Sequence, residues 1–223
     1  MARPKDPAVR TLLVERAAHM LRTREPITLR SLVAGTGVST MAVYTHFAGM
    51  DGVWSALRQE GFTRLAGWLA TVEPTTDPVR DLAALLAAYL RNALDHPDLY
   101  RVMFDASFPL EDPDAAEATL LVLVAAAERG VEAGRYRPDV DPLELATESW
   151  ATCHGLVSLV TPGPLPRTRL DLGVRMLTAL YVAAGDEPER CRASVADGWG
   201  GLLQAGGRPI GAAQPPAQPR SST

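Results

Sequence analysis

Proline punctuates nearly every apolar-periodic stretch of this chain, and that pattern leaves room for little except a set of separate helices. Apolar residues recur at i, i+3 and i+4, the spacing that lines up one helical face. Proline, with no N–H and a fixed φ, suits a helix start or the residues just past its end. The spacing predicts a first helix of about seventeen residues with Val9, Leu12, Leu13, Ala17, Met20 and Leu21 inward, ended by Pro26. A short second helix follows, capped by Thr28, with Leu29, Leu32 and Val33 inward. Longer helices are predicted over 53–72, 79–95, 97–104, 113–133, 142–160 and 167–184, with a further short one over 188–203. No alternating β-pattern of useful length interrupts them, so the expected class is all-α.

With 223 residues, 47% of them hydrophobic, the chain is long enough to bury a real core. No run approaches the ~18 to 20 apolar residues of a membrane span. The start shows no apolar signal core, and two cysteines, Cys153 and Cys191, make neither a disulfide framework nor a paired metal spacing. These features point to the cytoplasm and to no membrane partner. The overall charge of −4 conceals a division: residues 1–64 carry nine Lys and Arg against five Asp and Glu, leaving thirteen against twenty-one beyond. A head of +4 on a body of −8 would orient the molecule head-first toward phosphates. The expected organisation is a basic helical head over 1–50, a connecting helix over 51–76, a larger helical bundle over 77–205, and a Gly-, Pro-, Gln- and Ser-rich disordered tail over 206–223.

The head carries the most telling segment. Gly35 and Gly37 permit the positive φ of a tight reversal, and Ser39 offers a hydroxyl to cap a third helix of about two turns. On that helix Val38, Val43 and Phe47 face inward, whereas Thr40, Met41, Tyr44, Thr45 and His46 face out. A short helix set against a partner by a sharp turn fits the major groove of double-stranded DNA. Thr40 and Thr45 would meet base edges, Met41 and Ala42 thymine methyls, and Tyr44 and His46 phosphates, with Ser39 among the DNA-facing residues at the helix start. Thr28, Arg30 and the arm residues Arg3 and Lys5 would add backbone contacts.

From Ile27-Thr28-Leu29-Arg30-Ser31-Leu32 through Gly37-Val38-Ser39 to Val43-Tyr44-Thr45-His46-Phe47, the order and spacing resemble the DNA-binding head of TetR-family regulators. The resemblance covers about residues 8–60 and implies an operator-binding homodimer, an effector pocket in the C-terminal helices, and pairing through the last two long helices. Two positions depart from the family pattern: Met50 stands where a phosphate-holding lysine is usual, and Val33 where alanine is usual. Gly49 and Gly52 weaken the start of the fourth helix on propensity alone.

Farther on, Trp150-Ala151-Thr152-Cys153-His154-Gly155 is similar to a Trp-x-x-x-His-Gly element of one C-terminal subgroup, with Trp150 and His154 on one face at i and i+4. Together with Tyr89, Tyr100, Met103, Phe104 and Phe108 they are the candidates for an effector cavity, although aromatic and Met residues at helical spacing are more often plain core. The supply favours a mostly apolar small molecule. Leu170, Val174, Leu177 and Tyr181 form a stripe expected either at a dimer interface or in an ordinary core. Adjacent Cys153 and His154 project about 100° apart, which disfavours a catalytic dyad. With no Rossmann fingerprint, phosphate loop or HExxH, no cofactor, metal or enzymatic role is expected. The alternative is a helix-turn-helix DNA binder with no effector.

Overall fold

The computed structural model describes residues 6–161 and 163–204. Its helices are α1 (Pro7–Thr23), α2 (Leu29–Val33), α3 (Thr40–Phe47), α4 (Met50–Leu69), α5 (Pro78–Asp95), α6 (Pro97–Met103), α7 (Asp114–Glu132), α8 (Pro142–Val160), α9 (Leu172–Ala183) and α10 (Pro188–Gln204). No strand occurs among the described residues. Arg3, Lys5 and the tail over 206–223 lie outside the described residues.

Acidic residue plus proline is the recurrent starter. Asp6, Asp77 and Asp141 cap α1, α5 and α8 by accepting free first-turn amides, while the proline after each occupies a position that needs no N–H. Pro26 does not end α1. Arg24 does, in the left-handed region at φ 59°, where its N–H returns to the Leu21 carbonyl and that of Glu25 to Met20. The predicted helix over 167–184 opens as a 3-10 turn, Arg167–Asp171, before α9 begins. The expected short helix over 188–203 runs seventeen residues and packs broadly along α5.

Two hydrophobic cores result. The smaller gathers Leu13, Val14, Ala17 and Met20 of α1 with Leu32, Val43 and Phe47. It also takes in Val53, Ala56 and Leu57 from α4 and Leu99 from α6. Leu12, expected inward, is 40% exposed, and Val14 fills the inward place because it lies nearer the Leu13–Ala17–Met20 line. The larger core begins on α4 at Phe62, Leu65 and Leu69 and continues through α5 to α10.

At the base of the larger core a buried ion network joins distant segments. The Arg135 guanidinium donates to both carboxylate oxygens of Asp186 at 2.7 Å, to Asp77 at 2.7 Å and to the Ser194 hydroxyl at 3.1 Å. It thereby ties the starts of α5 and α10 to the turn after α7. Burial works against the Asp77 carboxylate, but bonds from Ser194, the Arg80 amide and Arg135 hold its pKa below the usual aspartate range. Breaking a buried pair by removing one partner strands the other charge. Arg135→Met is therefore expected to lower unfolding free energy by about 3 to 5 kcal/mol in urea titrations. A loss under about 1 kcal/mol would show that the network contributes no net stability.

Candidate functional site

In the head, α3 is held by Val43 and Phe47, both buried, while the rest of its surface faces solvent. Met41 is 67% and Tyr44 51% exposed, with Thr40 and Thr45 exposed beside them and Ala42 and His46 half-buried. Val38, expected inward, is half-buried and belongs to neither core. The reversal before α3 uses Gly35 at φ 74° and Gly37 at φ 72°, backbone that a side chain would strain. Ser39 occupies the cap position but its hydroxyl makes no cap bond, so it stays available on the exposed surface. Thr28 caps α2 reciprocally with Ser31: its oxygen accepts the Ser31 amide at 3.2 Å and its amide donates to the Ser31 hydroxyl at 2.9 Å. Arg30 is exposed nearby.

Gly52 has a positive reason to be glycine. A Cβ there would sit 1.7 Å from the Phe47 carbonyl oxygen, so the close crossing of α3 and α4 requires its absence. Met50, in place of a lysine, is half-buried against the head core.

In the body, a cavity of about 370 Å³ opens between α4, α5, α7 and α8. Phe62, Leu65 and Leu69 of α4, Phe104, Leu120, Leu123, Tyr89 and Trp150 form its apolar wall, and Arg58, Glu117 and Thr119 contribute polar groups. Of the seven residues expected there, Tyr89, Phe104 and Trp150 line it. Tyr100 and His154 sit behind Tyr89 in a closed triangle: the two hydroxyls are 2.7 Å apart, and His154 Nδ1 lies 2.8 Å from Tyr89 and 2.7 Å from Tyr100. Burial lowers the His154 pKa and favours the neutral ring, and it pushes Tyr100 up to about 12. The triangle binds α5, α6 and α8 together. Met103 is wholly buried where α6 crosses α4, its Cβ so close that Gly61 has no room for one of its own. Phe108 stacks on Trp54 at 5.7 Å, away from the cavity.

The sequence reading missed Arg58, one turn beyond Trp54 on α4. Its Nε donates to the Met103 carbonyl at 3.1 Å, the end of α6, and its Nη1 to the Phe108 carbonyl at 2.5 Å. The segment after α6 is also tied to the head by the Arg10–Glu111 ion pair and by the Asp112 amide donating to Gln59 at 3.0 Å. Neither partner choice is visible in local sequence.

The stripe on α9 resolves as core. Leu170, Leu177 and Tyr181 are buried within their own protomer, and the Trp199 indole of α10 donates to the Leu170 carbonyl at 3.1 Å. A different line is left uncovered on α8: Leu143, Thr147, Ala151, Gly155 and Leu159, spaced by four and all exposed, with Met176, Ala179 and Ala183 exposed on α9. Among the described residues no helix is long and apolar enough to cross a membrane.

A helix-turn-helix head carried on a larger helical body with an apolar cavity defines a ligand-sensing regulator of transcription. Residues 82–196, just over half the chain, match the family model described as the tetracyclin repressor-like C-terminal domain, and the chain belongs to the TetR family of transcriptional regulators. That stretch contains the Trp150 to Gly155 element. The fold is similar to a protein of unknown function from Rhodococcus sp. RHA1, with 25% identity and a TM-score of 0.69 over 79% of this chain and 95% of that one. It is also similar to the TetR family regulator PfmR from Thermus thermophilus, with 18% identity and a TM-score of 0.59 over 78% of this chain and 99% of that one. RolR, solved in complex with resorcinol, shares the fold at 16% identity and a TM-score of 0.59, over 85% of this chain and 94% of that one. No curated protein matches the chain.

The α3–α4 crossing gives a test in which two effects oppose. Alanine for glycine inside a helix ordinarily stabilises by roughly 1 kcal/mol, but at position 52 it would collide with backbone. Gly52→Ala is expected to lower the melting temperature and weaken DNA binding. A raised melting temperature would show that the crossing has slack.

Proposed function

We propose that the chain is a homodimeric repressor that grips a pseudo-palindromic operator with its two α3 helices and is released by a small, mostly apolar ligand. The observation that carries this reading is that α4 is buried in the DNA-binding head at one end and walls the cavity at the other. Thr40, Met41, Ala42, Tyr44, Thr45 and His46 present the contact surface, with Thr28, Arg30 and Ser39 beside it, and Lys5 is proposed as a further phosphate contact. Base-edge contacts set preference, and phosphate contacts set position and strength. Tyr44→Ala is accordingly expected to weaken binding to every duplex in gel-shift titrations. Thr40→Ala and Thr45→Ala should instead change preference at particular base pairs in selection from random duplexes. Identical preferences in all three variants would refute the assignment.

Two heads must stand roughly 34 Å apart to meet successive major-groove faces, which a two-fold dimer supplies. The uncovered apolar line on α8, with its neighbours on α9, is the pairing face. Gly155 lies in its middle, and a Cβ there would meet nothing within 4 Å among the described residues. Gly155→Arg should therefore fold normally yet run as a monomer in light scattering, with operator affinity lost. A dimer of unchanged mass would move the interface elsewhere.

Ligand entry shifts α4 by favouring one arrangement of the body over another, with a coupling of about 1 to 3 kcal/mol between the two sites. Changing head separation breaks simultaneous contact with both half-sites and forfeits bivalency. Tyr89, Phe104 and Trp150 supply the apolar wall that selects the ligand, and a ring compound such as the one held by RolR suits that wall. Tyr100, Met103 and His154 support it from behind, and Phe108 has no part in it. Thermal shift against a metabolite panel, followed by release of bound operator, tests the ligand arm. A stabilising ligand that leaves operator affinity untouched would favour a DNA binder with no effector.

A further inference from the structure

We infer that the cavity is built for an apolar ligand ending in a carboxylate, and that Arg58 is its anchor. The inference rests on the reading of this cavity as the effector site. Arg58 is the one cation among the residues lining the cavity. It is half-buried, and among the described residues no carboxylate stands within ion-pair distance of it. Its Nε and Nη1 are engaged by two backbone carbonyls, which carry only partial charge, and its Nη2 donates to nothing among the described residues.

Two acids compete for it, and neither holds it. Glu117 lines the same cavity but is exposed and forms no ion pair among the described residues. Asp105 has a lowered pKa owed first to the Ser107 hydroxyl and amide and last to Arg58, and it is exposed. A half-buried guanidinium with no ion-pair partner favours an anion brought to it in a planar, two-pronged geometry, which a carboxylate matches. The remaining wall offers rings: Phe62, Phe104, Tyr89 and Trp150. An aromatic or alicyclic acid therefore meets both halves of the cavity, whereas a neutral hydrocarbon leaves Arg58 unanswered.

The position of Arg58 also says what the carboxylate would disturb. The two carbonyls it holds end α6 and begin the segment that stacks Phe108 on Trp54. An anion drawing the guanidinium toward the cavity competes with those bonds, so occupancy is felt on α4 at the residue next to Leu57 of the head core.

The experiment is calorimetric titration of the full-length protein with 2-naphthoate and, separately, with its uncharged amide, 2-naphthamide. Wild type is expected to bind the acid roughly tenfold or more tightly than the amide. Arg58→Met, which keeps the stem but not the charge, should bind the two alike, and Arg58→Lys should restore part of the preference. Thermal unfolding of each variant shows that the fold is retained. Equal binding of both probes by wild type, or a preference that survives Arg58→Met, overturns the anchor while leaving the cavity as the effector site. Failure of wild type to bind either probe at millimolar concentration counts against the cavity reading itself, and the anchor falls with it.

Discussion

Helix α4 cannot be assigned to either half of this protein. Its first two turns place Val53, Ala56 and Leu57 in the head core, and its later turns place Phe62, Leu65 and Leu69 in the body core. Each fully buried leucine contributes about 1.5 to 3 kcal/mol, so neither end can detach without a cost comparable to a large share of domain stability. The helix is therefore anchored at both ends, each in a different core.

Helix α6 adds a second strap across the same seam. Leu99 belongs to the head core, while Tyr100 and Met103 on the same seven-residue helix belong to the body core. The Tyr89–Tyr100–His154 triangle secures it to α5 and α8 from the cavity side. Arg58 and the Trp54–Phe108 stack secure its exit to α4. The far end of the body is fixed differently, by the Arg135 network. Charge pairs join the segments at that end, whereas apolar contact surrounds the cavity lined by Tyr89, Phe104 and Trp150.

Much of this was legible before any coordinates. The helical period, the prolines and the glycine pair specify the succession of helices and the reversal before α3, because those signals are local. The inward set Leu13, Leu32, Val43 and Phe47 follows from the same spacing. Side-chain destinations that depend on a distant partner did not follow. Leu170, Leu177 and Tyr181 form a stripe that suits an interface or a core equally, and only the presence of α10, with Trp199 against Leu170, decides for the core. Phe108 and Met103 are apolar and near Phe104 in sequence, yet the chain turns after α6 and carries Phe108 onto Trp54 instead of into the cavity. Arg58 reads as an ordinary surface cation on a helix, since nothing local reveals that two carbonyls and an apolar void will surround it. Gly52 looked like a weakness of propensity, whereas the Phe47 carbonyl makes it a necessity.

The missing Cβ at Gly61 has a mechanical meaning. Met103 is seated against bare backbone there, so at that point α4 and α6 meet with no Cβ between them. Such a point acts as a fulcrum: it resists sliding along the axis and permits tilting about it. At ~1.5 Å of rise per residue the arm from position 61 to the head end of α4 is ~16 Å, and the arm to the cavity end is ~12 Å. A sideways push at Leu69 would reach Met50 enlarged by roughly one third and reversed in direction.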